Sequence, residues 1–366
     1  MKLLILGNGQ LGQMLAQSSI QLGHECLLVN TRTNKVMPAG AHVALSQSIE
    51  EAMQWADVVS WEHEQLDPEH VALAANKLLT DADKIRPLTH RQLEKKLCDD
   101  LGIATAPWQA FQTADQFTQT LRTWQQPVVI KAAFGGYDGK SQWRWSPESA
   151  SAAAEAESLA HSAGLQPGII EALIPFTKEV SIVGARAKDG RILCYPLVEN
   201  VHTKGILSHT FAGFEAPDLR LQKAAELAFQ RITEHLGYVG TLAIEFFVVG
   251  DGEEAELLVN EIAPRVHNSG HWSLTGCNAS QFDLHIRSLT NMPFPKLAVQ
   301  PTLMLNAIGC AEIPTELWQD SRVQAFWYGK DSRPGRKVGH VNLRIAKRAE
   351  AEALSKNWTP SLQVLS

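Results

Sequence analysis

The sequence predicts an α/β chain of more than one domain, with a Rossmann-like parallel sheet first and α+β units after it. An apolar run at residues 3–6 leads straight into Gly7-Asn8-Gly9-Gln10-Leu11-Gly12, and strand and helix signals alternate through the first stretch of the chain, which describes a βαβ unit. Beyond Trp108 the pattern changes to paired strands about turn residues, which predicts antiparallel sheet. A length of 366 residues leaves room for two or three domains.

In order, residues 2–6 read as a buried strand and 11–22 as a helix stopped by Gly23. Strands follow at 26–29 and 57–61, then a helix at 68–79 with Pro68 at its start and another at 89–101 stopped by Gly102. Ala104-Thr105-Ala106-Pro107-Trp108 marks a boundary. After it come a strand at 127–131, a glycine-rich loop at 134–139, an alanine-rich helix at 150–163 and a strand at 168–174. Strands 180–187 and 191–198 flank the turn Lys188-Asp189-Gly190, and strands 241–249 and 256–262 form a second hairpin. From about residue 301 short strands close the chain, with residues 333–340 as a basic loop.

Composition narrows the function. With 33 lysines and arginines against 39 aspartates and glutamates the net charge is −6, the wrong sign for a nucleic-acid binder. The five cysteines are scattered, without a metal or disulfide spacing, and no apolar run is long enough for a membrane span. A cytoplasmic protein acting on small molecules is expected.

The glycine loop alone does not define a dinucleotide site. The second strand ends Val29-Asn30-Thr31-Arg32, without the carboxylate that would hold ribose hydroxyls, although Arg32 leaves a 2′-phosphate open. The preferred reading is a loop and helix N-terminus that accept a phosphate of another ligand. A stronger signal lies in the second hairpin. If it is centred on Glu253, residues whose numbers sum to 506 face each other, so Glu245 opposes Glu261 and Val248 opposes Leu258. Like charges directly opposed on a sheet repel; protonating one carboxylate or placing a cation between them relieves this, and the preferred reading is an Mg²⁺ ion bearing substrate phosphates, with Asn260 adding a neutral oxygen. Lys131 at a strand end and the loop Gly135-Gly136-Tyr137-Asp138-Gly139-Lys140 suit phosphate, although no Walker A pattern is present. Glu171 and Glu179 suit an adenine edge and a ribose. Arg265, His267, Asn268 and His271 cluster after Pro264, where helical zinc geometry is disfavoured and stabilisation of a developing anion is favoured. Lys330, Arg333, Arg336 and Lys337 make a second basic cluster, suited to a phosphate.

Taken together, Gly7–Gly12, the Thr105–Trp108 boundary, Lys131, Gly135–Gln142, Ile170–Ser181, Ala243–Phe247, Asn260–Trp272 and Arg333–His340 resemble the ATP-grasp superfamily. More narrowly, they resemble the N5-carboxyaminoimidazole ribonucleotide synthetases, the ATPase-subunit type of phosphoribosylaminoimidazole carboxylase. The resemblance implies a preATP-grasp domain at 1–94, an ATP-grasp lid at 95–170, an ATP-grasp core at 171–300 and a C-terminal β extension at 301–366. It implies ATP contacts from Arg91, Lys131, Gly136, Tyr137, Asp138, Gly139, Lys140, Ser141, Gln142, Glu171, Ala172, Leu173, Ile174, Glu179, His202, Asn260 and Glu261, and Mg²⁺ on Glu245 and Glu261. Aminoimidazole ribonucleotide would meet Gln10, Glu64, Tyr137, Asp138, Lys330, Arg336 and Lys337. Arg265 and His267 would face the bicarbonate-derived group, and Asp138 would take the proton of the attacking amine. A homodimer is implied as well.

Three departures stand out: Ser141 replaces a family glycine, Ala132-Ala133-Phe134 replace residues that are often basic, and Trp61–Gln65 differs at its end. Rival readings are a formate-using ATP-grasp transformylase, an NADPH-dependent oxidoreductase and a non-catalytic nucleotide-binding regulator.

Overall fold

A computed structural model describes residues 1–41, 43–134, 142–149, 151–161, 167–216 and 218–365. The first sheet holds β1 (Lys2–Leu6), β2 (Glu25–Asn30), β3 (Lys35–Pro38) and β4 (Val58–Trp61) in the order β3-β2-β1-β4. The β1–β2 and β1–β4 pairs are parallel, as the strand–glycine–helix–strand pattern requires. The short edge strand β3 runs antiparallel to β2 and was not foreseen. Residues 68–79, expected as one helix, divide into Pro68–Ala74 and a 3₁₀ turn, Ala75–Lys77.

The second sheet is small and antiparallel: β5 (Trp108–Phe111), β6 (Val128–Ala132), β7 (Gln142–Trp145) and β8 (Gly168–Ala172), ordered β5-β8-β6-β7. The helices Ala114–Thr123 and Ala152–Ala160 cover it through a separate core around Phe111, Phe117, Leu121, Ile130 and Ile170.

The third sheet has nine strands: β9 (Lys178–Arg186), β10 (Ile192–Cys194), β11 (Val198–Thr203), β12 (Ile206–Ala212), β13 (Gly240–Val249), β14 (Glu256–Ala263), β15 (Thr302–Ile308), β16 (Val323–Trp327) and β17 (Lys337–Arg344). The expected strand at 191–198 is broken between β10 and β11, where Pro196 has no N–H to give a ladder. Helix Leu219–Leu236 packs Phe229 and Ile232 against Ile182, Leu242 and Ile244. Helix Gln281–Thr290 buries Phe282 and Ile286 with Leu3, Ile5 and Leu15 of the N-terminal unit, so the first and third sheets share core.

Two features of the C-terminal region differ from expectation. Lys337 does not sit in a loop but begins β17, whose residues 338–343 are all buried and pair with β15. The chain closes with a helix, Arg348–Leu362, where only strands were expected. Its alanine, glutamate and leucine content favours helix, and Ala351 and Leu362 join the core of β15 and β17.

Candidate active site

The N-terminal glycine loop is closed by the chain itself. Gly7 has φ +119°, and a Cβ there would fall 2.1 Å from Glu62 Cγ. The backbone N–H groups of Gly9 and Gly12 donate to Glu62 Oε1 at 2.8 Å and Oε2 at 2.6 Å. These are the orphan donors of the helix Gln10–Gln21, the groups that would otherwise cradle an anion. The expectation of a ligand phosphate in this loop is therefore corrected: Glu62, placed by the end of β4, fills the position. The same closure removes the support for a dinucleotide.

At the other end of the cleft the charge balance is reversed. β13 and β14 pair with Glu245 directly opposite Glu261, as the hairpin register predicts. Beyond that pair the register slips by one, so Val248 faces Leu257 instead of Leu258. The extra residue is Asn260, a β-bulge. In a regular strand Asn260 and Glu261 would point to opposite faces. With the bulge, both turn to the same channel: Asn260 Oδ1 accepts from Lys131 Nζ at 3.2 Å, and Glu261 lines the cleft. Burial pushes the Glu245 carboxyl above its ordinary range; nearby His202 opposes this, while Glu261 and Glu179 add to it. His202 Nδ1 lies 2.6 Å from Glu179 Oε2, and this pairing with the Glu245 charge outweighs burial and raises the imidazole pKa. Two opposed carboxylates and an amide oxygen fit a hard divalent cation. Among the described residues no cluster of three or more histidine, cysteine or acidic groups could hold a metal alone, so water or a ligand would complete the coordination of an ion held here.

Next to this pair stands a buried ion network. Lys131 Nζ lies 2.6 Å from Glu171 Oε2, and Lys95 Nζ lies 2.8 Å from Glu171 Oε1. Burial alone would raise Glu171, but the two lysines outweigh it and hold the carboxyl down to about 2. Glu171, expected beside adenine or ribose, thus serves as the counterion of two lysines. Burial lowers the Lys131 pKa, partly offset by Glu171.

Sequence reasoning missed Lys95 and its neighbour Glu94. Both lie on helix Arg91–Asp100, where Arg91, Glu94, Lys95 and Cys98 are buried at i, i+3, i+4 and i+7. Charged residues on a buried helical stripe were the available signal. Glu94 Oε2 accepts from Ile262 N at 3.2 Å, and Lys95 Nζ donates to Val259 O at 3.3 Å. The two side chains hold the backbone on either side of the Asn260 bulge. Burial raises the Glu94 carboxyl to about 7 against the pull of Arg91 and Lys95. Arg91 ties the helix to the end of β6 through its N–H to Ala133 O at 3.0 Å.

A cleft of about 390 Å³ runs from this channel to the first sheet, lined by Gln10, Glu64, Glu261, Arg265, His267 and Lys337 among others. Arg265 Nε lies 2.6 Å from Glu64 Oε2, and Lys330 Nζ donates to Gln10 Oε1. Burial lowers Lys337 to about 8; Glu245 pulls it up and Arg265 pushes it down. Burial, then neighbouring Arg336, lowers Lys330. The Arg336 guanidinium donates to Asp331 O at 3.1 Å. Gln142 is exposed at the start of β7, opposite Lys131. Ala172 ends β8, and Leu173 beyond it is exposed, with Ile174 next in the chain. Gly136, Tyr137, Asp138, Gly139, Lys140 and Ser141 lie outside the described residues.

A small antiparallel sheet, a large sheet with an acidic pair, and a lysine between them define an ATP-grasp ligase, an enzyme class that uses ATP with a divalent metal. The family model of the ATP-grasp domain matches residues 96–282. The ribonucleotide synthetase preATP-grasp domain matches 1–92, and the phosphoribosylaminoimidazole carboxylase C-terminal domain matches 302–354. The chain belongs to the N5-carboxyaminoimidazole ribonucleotide synthase family. The synthase of Vibrio vulnificus is 37% identical over 354 residues, covering 94% of this chain and 90% of the relative. That of Escherichia coli is 37% identical over 365 residues, covering 98% and 94%. The Thermus thermophilus synthetase structure superposes with a TM-score of 0.82 at 32% identity, covering 99% of this chain and 98% of that one. The Aspergillus clavatus synthase, in complex with ADP and 5-aminoimidazole ribonucleotide, gives 0.80 at 27% identity, with 98% of each chain covered. The activity is ATP-dependent carboxylation of 5-aminoimidazole ribonucleotide in purine biosynthesis.

Proposed function

We propose that the channel between the acidic hairpin and the basic cleft carries out this carboxylation with the following division of roles. The observation that supports it most is the direct opposition of Glu245 and Glu261 beside Lys131 and Asn260. Mg²⁺ held by Glu245 and Glu261 would neutralise charge on the ATP phosphates. Lys131 faces the same phosphates, with Arg91, Glu171 and the 136–142 segment around the nucleotide. Residues 172–174, Glu179 and His202 belong to its adenosine side. A bicarbonate oxygen attacks the γ-phosphorus, ADP leaves, and carboxyphosphate breaks to CO₂ and phosphate. Arg265 and His267 keep the carbon-bearing fragment in place, and exclusion of water protects it. Lys330, Arg336 and Lys337 grip the ribonucleotide 5′-phosphate, with Gln10, Glu64 and Tyr137 around the rest of that substrate. The exocyclic amine attacks CO₂, and Asp138 takes its proton.

The functional units are proposed at 1–94, 95–170, 171–300 and 301–366. Cytoplasmic operation as a homodimer is part of the same reading. No helix of the described residues is long and apolar enough to cross a membrane, and light scattering tests the dimer. The activity test is ADP release with ATP, bicarbonate and 5-aminoimidazole ribonucleotide, each omitted in turn. Full turnover needs all three; turnover that ignores bicarbonate but responds to formate would overturn the reading.

A further inference from the structure

The ring of His267 is held from behind by buried side chains that the reaction does not use. Ser269 Oγ lies 2.9 Å from His267 Nδ1. Ser181 Oγ donates to Ser269 Oγ at 2.8 Å, Asn200 Nδ2 to Ser181 Oγ at 2.8 Å, and Thr210 Oγ1 to Asn200 Oδ1 at 2.8 Å. Ser181, Thr210 and Ser269 are fully buried and Asn200 almost so. They come from β9, β12, the turn after β14, and β11, so the line crosses three neighbouring strands before it reaches the cleft. A buried polar line of this kind is costly unless every member is satisfied.

The line has a direction. An amide nitrogen can only donate, so Ser181 Oγ accepts from Asn200 and gives its own proton to Ser269. Ser269, having accepted, gives its proton to His267 Nδ1. A second donor fixes the same end point: the backbone N–H of Ser269, which cannot accept, is aimed at Nδ1 at 3.4 Å. The backbone contact requires a lone pair on Nδ1 and the hydroxyl contact is compatible with it, which puts the proton of a neutral imidazole on Nε2. Glu245 Oε1, at 3.8 Å from Nδ1, is outside hydrogen-bond reach. Gln281 fixes the backbone as well, accepting from His267 N at 2.8 Å and donating to His267 O at 2.7 Å. Among the described residues no hydrogen-bond partner takes Nε2, and His267 lines the cleft.

We propose that Thr210, Asn200, Ser181 and Ser269 form a positioning relay that locks His267 as an Nε2–H donor. Building on the reading that His267 faces the bicarbonate-derived group, the ring donates a hydrogen bond to an oxygen of that group and does not act as its base. The four relay residues never touch substrate; their effect passes through the ring.

Nitrogen NMR of the histidine-labelled protein without substrates tests the lock, with the His267 signals identified by their loss in His267→Gln. The relay predicts a non-protonated Nδ1 and a protonated Nε2. A protonated Nδ1 overturns it, whatever the activity. Ser269→Ala should give a mixed tautomer and lower kcat/KM for bicarbonate by roughly 10–100-fold, the scale seen when the hydrogen-bond partner that orients a metal-bound histidine is removed. Mg²⁺·ADP affinity should stay unchanged, and Ser269→Thr should restore the spectrum and much of the rate. A mixed tautomer with unaltered bicarbonate kinetics overturns the donor role. Absence of any bicarbonate-dependent turnover in the unsubstituted chain would instead overturn the proposed function and leave the tautomer result standing. The unsubstituted spectrum decides the lock even if the alanine variant does not fold.

Discussion

Two places in this molecule hold carboxylates near one cleft, Glu62 just after β4 and the pair Glu245 and Glu261 within β13 and β14, and the chain treats them in opposite ways. Glu62 is received by two backbone N–H groups at a helix start, each within 2.8 Å. Glu245 and Glu261 are set against each other, and among the described residues neither accepts a hydrogen bond from the chain. The first is a closed site, its charge balanced by the fold. The second keeps its mutual repulsion even with His202 and Lys337 nearby, and the proposed function places a cation there. Glycine spacing suggested a ligand at the first, a position that Glu62 fills; the proposed function puts the cation at the second.

The sharpest way to break this comparison is to remove one member of the open pair. Glu261→Gln should lower bicarbonate-dependent ADP release roughly 10²–10³-fold, the scale of losing a main electrostatic stabiliser of a transition state. Activity close to that of the unsubstituted enzyme would make the pair a bystander. Next in size is Lys95→Met, which takes one of two cations from Glu171 and one clamp from the bulge. Breaking a buried ion pair costs about 3 kcal/mol or more, so denaturant unfolding should show that loss and the KM for ATP should rise. Glu62→Ala strands the N–H groups of Gly9 and Gly12 and should cost about 1.5–3 kcal/mol by the same measurement, while Mg²⁺·ADP binding stays as it was.

The smallest effect is a pH dependence. Burial holds Lys337 at about 8, below the 10.5 of an ordinary lysine. Between those values the unfolded chain binds the extra proton, so this group's contribution to stability improves as pH rises through that window. Its grip on a phosphate runs the other way, because the ammonium is lost above about pH 8. The KM for 5-aminoimidazole ribonucleotide should therefore climb above pH 8, and Lys337→Arg should flatten the profile, since arginine stays charged.

The legible parts of the sequence were those set by local pattern. The parallel opening unit, the acidic hairpin and the opposition of Glu245 to Glu261 follow from strand spacing and turn residues. The slip at Asn260 did not, because a bulge depends on what grips the strand from outside, here Glu94 and Lys95. Glu62 was overlooked for a similar reason: its sequence neighbours say nothing of a glycine loop more than fifty residues away. The relay behind His267 joins four residues spread over three strands and a turn, a contact pattern visible only once the sheet order is known. The closing helix was a misreading of available signal, since residues 348–362 carry ordinary helix-forming composition.

The central claim, that two opposed carboxylates store a repulsion that a cation relieves, is tested most directly by thermal unfolding of Glu261→Gln beside the unsubstituted chain, in chelator and in Mg²⁺·ADP. The account predicts a higher melting temperature for the variant in chelator and a smaller gain from Mg²⁺·ADP. A lower melting temperature in chelator together with an undiminished gain from Mg²⁺·ADP would contradict it.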